Sequence, residues 1–136
     1  MAGILKVDDL RGNTAAGDIT ITSEGGAATQ SLQQGLAKAW SNYDGSGTVS
    51  VTDSLNVSSL SDGGVGDFTH TFVSSMANGT YTLGGACHDD AGNFGLFTTI
   101  KSAGLATGTC KTYIMNHANS VRDPDIGTFA IHGDLA

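Results

Sequence analysis

The groups in this chain that could do chemistry are four histidines (His70, His88, His117, His132), two cysteines (Cys87, Cys110), 13 acidic residues and many serines. Catalysis or metal binding needs some of them at spacings that bring several to one place. No two histidines stand at HxH or HxxxH spacing, which would put two ligands on one face, so zinc chemistry is not expected. His70 lies between Phe68 and Phe72 and reads as a packed or interface histidine. His88-Asp89-Asp90-Ala91-Gly92-Asn93 gathers oxygen atoms around a glycine, as a hard-cation loop does. It lacks the full alternating pattern and distal glutamate of an EF-hand loop, and a solvated turn is the expectation.

Neither cysteine has a CxxC partner. If their strands were neighbours a disulfide would be feasible, but a reducing compartment favours two small buried thiols, which is the reading adopted. No serine stands in a GxSxG elbow. The carboxylate pairs are Asp8-Asp9, Asp62 with Asp67, Asp89-Asp90 and Asp123 with Asp125. All but the first lie in or beside turns, where aspartate is favoured by local hydrogen bonding to the backbone. A glycosidase dyad would need a deep cleft that so small a chain does not provide. The glycines separate strands and open no helix, so they form no phosphate cradle. Asn56-Val57-Ser58 and Asn78-Gly79-Thr80 match the glycosylation pattern, which carries little meaning without a secretory leader. No catalytic residue, cofactor site or metal ligand is assigned, and a non-enzymatic protein is expected.

Composition sets the frame in which these residues must sit. A chain of 136 residues makes one domain with about 30 residues to spare for an arm or tail. With 39% hydrophobic residues, many of them alanine, the core is thin; 20 glycines and a single proline among many serines and threonines favour strands and turns. Six basic against 13 acidic residues give a formal charge of −7, which argues against nucleic-acid partners and anionic membrane surfaces. The N-terminus reads as neither a signal peptide nor a transmembrane span, so a soluble protein made in a cytoplasm is expected.

Residues 1–34 differ in texture from the rest. Ile4, Leu5, Val7 and Leu10 are too few to build a core, and a short alternating strand at Asp18–Thr22 is the only regular element expected there. Apolar residues at a terminus need burial somewhere, so this stretch is read as an extended arm whose Ile4, Leu5, Val7 and Leu10 contact other subunits or a host particle. Residues 35–136 are read as the domain. From Leu36 to Phe72 strand and turn signals alternate as in a β-meander. Ala37, Ala39, Ser41 and Tyr43 share one face, with Trp40 on the other; Asp44-Gly45-Ser46-Gly47 is a hairpin turn. Thr48–Thr52 and Ser54–Leu60 follow as strands, and after a glycine-rich turn Asp67–Val73 places Phe68, His70 and Phe72 on one face. Later strands are expected around Tyr81 and Leu83, at Phe94–Ile100, at Thr109–His117 and at Ile126–His132, with Ser102–Gly108 as a loop. Roughly eight short strands predict an all-β fold: an antiparallel β-sandwich or jelly-roll-like domain. No helix of ten residues is expected, since Gly35 interrupts the helical tendency of Thr29–Ala39.

The run LQQGLAKAWSNYDGSGTVSVTDSLNVSSLSDGGVGDFTHTF resembles a module of small structural proteins of tailed phages, particularly phages of cyanobacteria and marine bacteria. The start, ILKVDDLRGNTAAGDITITSEGG, likewise resembles the N-terminus of phage fibre and tail-associated proteins. The resemblance covers residues 4–83 and, weakly, the terminal FAIHGD; segment 84–125 departs from it. It implies a virion component, made in the host cytoplasm: a short fibre or knob, most often a homotrimer, contacting other virion proteins and through its head the host surface. A capsid decoration or cement protein is the alternative within that class. From another class comes a carbohydrate-binding module, with Trp40 or Tyr43 stacking on a surface glycan. The resemblance brings no catalytic residue or cofactor.

Overall fold

Alternation of inward and outward side chains organises several strands of this chain, and the computed structural model, which describes residues 3–15, 19–89 and 95–136, has antiparallel strands as nearly all of its regular structure. The chain divides into two units, Met1–Leu36 and Ala37–Ala136. In the first, β1 (Thr20–Thr22) pairs with β2 (Thr29–Ser31), and one helical turn, α1 (Leu32–Gly35), follows. Ser31 caps that turn by accepting from the Gln34 N–H. Within the arm expected from the sequence, residues 19–36 form this small ribbon and its helical turn. Of the strand expected at Asp18–Thr22, Asp18 lies outside the described residues.

Among the described residues the second unit is a β-sandwich of eight strands: β3 (Ala39–Asp44), β4 (Ser50–Leu55), β5 (Val57–Asp62), β6 (Asp67–Phe72), β7 (Thr82–His88), β8 (Phe97–Leu105), β9 (Thr109–Met115) and β10 (Ile126–His132). One sheet has the order β4-β3-β10-β7 and the other β5-β6-β9-β8. The meander expected over Leu36–Phe72 is corrected here, because the chain changes sheets in the middle of it. Ser54–Leu60 is not one strand: Asn56 takes a left-handed backbone conformation (φ 57°) and separates β4 from β5. Its side chain closes the corner. Asn56 Nδ2 donates to the carbonyls of Lys38 and Ser74, both at 3.0 Å, and Oδ1 accepts from the Ser74 N–H at 2.7 Å.

Two further boundaries move for steric reasons. Ser102–Gly108 was expected as a loop, but β8 runs to Leu105 through an irregularity between Ile100 and Leu105, with Ala103 at φ 54°. Gly84 and Gly85 lie inside β7, where Gly85 lets the backbone of β10 come close: a Cβ there would stand 2.5 Å from the Thr128 carbonyl oxygen. Phe94, the expected start of β8, lies outside the described residues.

The core forms two clusters. Ala39, Phe72, Met76, Tyr81, Cys110, Phe129 and Ile131 make the larger, and Tyr43, Phe68 and Ile114 the smaller. Of the residues expected to share a face, Ala39, Ser41 and Tyr43 of β3 and Phe68, His70 and Phe72 of β6 are buried, while Ala37 before β3 is half-buried and Lys38, expected on the other face, is buried. On β9 and β10 the buried residues are Cys110, Thr112 and Ile114, with Asn116 just beyond, and Phe129 and Ile131. The Tyr81 hydroxyl ties the larger cluster to the β8–β9 turn by donating to the carbonyls of Thr109 and Ala106, at 2.9 and 3.2 Å.

Candidate functional site

The turn aspartates are occupied by their own backbone. Asp44 Oδ1 accepts from the Ser46 hydroxyl at 2.7 Å and the Ser46 N–H at 2.8 Å, and these bonds, the hydroxyl first, hold its carboxyl below the usual range. Asp62 Oδ1 accepts from the Gly64 N–H, and Asp123 Oδ1 reaches across the sandwich end to the Gly66 N–H, both at 2.7 Å. Asp67 takes the Lys101 ammonium at 2.5 Å, with that ammonium also 5.0 Å from the centre of the Tyr113 ring. In the first unit, Arg11 Nε donates to Asp9 Oδ2 at 2.6 Å, an exposed pair. Carboxylates bound in this way shape turns and strand ends.

The His88–Asn93 stretch, expected to be a solvated turn, is described only at His88 and Asp89; Asp90–Asn93 lie outside the described residues. Among the described residues no three of His, Cys, Asp and Glu come together in a metal-holding group. Both glycosylation-pattern asparagines serve the backbone: Asn56 at the sheet crossing, and Asn78 by accepting from the Thr80 N–H at 2.8 Å. Both cysteines are free thiols, Cys110 buried and Cys87 partly so. Burial pushes the Cys110 thiol up to about 11 and the Cys87 thiol upward as well.

His70 is fully buried. Its ring centre lies 4.0 Å from that of Phe129 and 5.2 Å from that of Tyr43, and burial alone pushes its pKa down to about 3. The expectation of a packed histidine fits this position.

The residues singled out for contact fall into two groups. Ile4, Leu5, Val7 and Leu10 are all exposed, at 81%, 77%, 54% and 51%. Trp40 is half-buried on the outer face of its sheet, in one lateral row with Leu55 of β4, Ala130 of β10 and Gly84 of β7. Tyr43 does not join it. Strand alternation sends Tyr43 inward, where it is 2% exposed against Phe68, and a Cβ on Gly127 would stand 2.2 Å from its ring. The expectation that Tyr43 contacts a ligand is therefore corrected: its ring presents no face to solvent. What sequence reasoning did not single out is Leu55, whose place opposite Trp40 depends on a register that strand spacing does not specify. Comparison with protein-family models, curated proteins and solved structures found no match.

Proposed function

We propose that this chain is a non-enzymatic structural component of a phage particle: a short, trimeric fibre or knob, carried by its N-terminal unit and presenting the sandwich to the host surface. The observation that carries the reading is the exposure of Ile4, Leu5, Val7 and Leu10 within a unit whose two-stranded ribbon is too small to bury them. Three copies related by a rotation axis give such side chains a common apolar centre, and symmetry makes each copy's patch complementary to the next. The likeness of residues 4–83 to phage structural modules supports the same reading. So does the use of the turn carboxylates as scaffold.

The test is particle incorporation of the full chain carrying I4S/L5S/V7S/L10S. The variant is expected to fold and to be missing from particles that incorporate the wild-type chain. Undiminished incorporation overturns anchoring through these four residues.

The half-exposed Trp40 favours a second reading, a carbohydrate-binding head. Its row offers an aromatic ring beside the small Ala130, with Gly84 beyond it, where a Cβ would meet nothing within 4 Å, so there is room over the sheet. Glycan-array binding that disappears in Trp40→Ala would establish it, and an array without signal would remove it.

A further inference from the structure

The two core clusters are separated by polar side chains. On β3, Ser41 stands between Ala39 of the larger cluster and Tyr43 of the smaller. On β6, His70 stands in the same way between Phe72 and Phe68, and on β9 Thr112 stands between Cys110 and Ile114. All three polar residues are buried, at 2% exposure or less. Ser41 Oγ, both imidazole nitrogens of His70 and Thr112 Oγ1 have no hydrogen-bond partner among the protein groups.

Register brings these residues near one another, with Thr112 opposite Phe68 and so diagonal to His70. The His70 ring packs on Phe129, the cross-strand partner of Ser41, and on Tyr43, two residues from Ser41 on the same face. Cys110, the cross-strand partner of His70, is two residues from Thr112 on its inward face. Unpartnered buried polar atoms are rare because each bears the cost of its lost hydration. For four together that cost is comparable with the net stability of a small domain.

We infer that this layer is a binding site for buried water that bridges His70 to the hydroxyls of Ser41 and Thr112. The chemistry selects water over an ion. Among the described residues, the titratable groups on the side chains that pack on or pair with His70 are the Tyr43 hydroxyl and the Cys110 thiol, both held neutral by burial. Neutral imidazole offers one N–H and one bare nitrogen. Water can donate to the nitrogen while accepting from a hydroxyl, which no monatomic ion can do, and a larger charged group would be buried without a counter-charge. Bridged in this way, the layer pins the register of the two sheets, because sliding one past the other would set its polar atoms against apolar side chains.

Water contacts in the isotope-labelled full chain, read by NMR at the carbon-bound imidazole protons of His70 and the Thr112 methyl, test this directly. Cross-peaks with the sign of water that tumbles with the protein are expected, and they should be lost in S41A/T112V. Absence of water cross-peaks at His70 in the wild-type chain overturns the site, as does their persistence unchanged in the double variant. Should S41A/T112V not fold, the wild-type spectrum decides alone.

Discussion

Single side chains account for much of the stability of this sandwich, and His70 and Asn56 carry the sharpest consequences. The unfolded chain protonates His70 near 6.5, whereas the folded chain resists protonation until about 3 because burial penalises the charged ring. As pH falls from 6.5 toward 3, the unfolded state gains a proton that the folded state does not. His70 therefore lowers stability by about 1.4 kcal/mol for each pH unit in that window and contributes no slope above it. Urea unfolding of the wild-type chain and of His70→Leu across pH 3–7 isolates this contribution, since both share every other titrating group. The wild-type chain should lose stability more steeply in acid, and parallel profiles would contradict a buried neutral imidazole. Asn56 acts through geometry. Its side chain makes three hydrogen bonds, worth about 1 kcal/mol each, and it tolerates a left-handed backbone that costs alanine roughly 1 kcal/mol more. Asn56→Ala should lose about 3–4 kcal/mol in urea denaturation, with Asn56→Gly recovering only the backbone part.

At the scale of elements, the stacking of the sheets depends on glycines that admit neighbouring rings and strands. A Cβ at Gly127 would penetrate the Tyr43 ring, so Gly127→Ala should cost about 1–3 kcal/mol by overpacking. Because the clash lies with one side chain, Gly127→Ala combined with Tyr43→Leu should lose less than the sum of the two single changes; additive losses would place the strain elsewhere. The same elements show how much the sequence reveals. Period-two alternation was enough to group the residues that share a face on β3, β6, β9 and β10, because successive side chains of a strand point to opposite sides; which face is buried on β3, with an aromatic on each, was not legible. The crossing between sheets was not legible: it rests on Asn56 reaching Lys38 and Ser74, each eighteen residues away in the chain. Nor was the extension of β8, whose small residues resemble a loop until Gly104 is seen fitting tightly between the carbonyls of Lys101 and Lys111. The candidate contact residues divide along the same line. Trp40 and Tyr43 differ by an odd number of positions, so alternation within a single strand sends one outward and the other into the core.

For the whole molecule the formal charge is −7, and Ile4, Leu5, Val7 and Leu10, exposed at the N-terminus, have Asp8 and Asp9 among them. Net charge of one sign keeps separate copies apart at long range and is screened by salt, while burial of Ile4, Leu5, Val7 and Leu10 acts only at contact. Assembly through the first unit should therefore strengthen as ionic strength rises; light scattering across a salt series would read this as a growing assembled fraction, and dissociation on adding salt would point to charge pairing instead. Sedimentation equilibrium of the full chain, beside the I4S/L5S/V7S/L10S variant, tests the proposed assembly most directly. The wild-type chain is expected at about three times its 13.8 kDa mass and the variant at a single chain. A wild-type monomer, or a variant that remains trimeric, would contradict a trimer held by the N-terminal apolar residues.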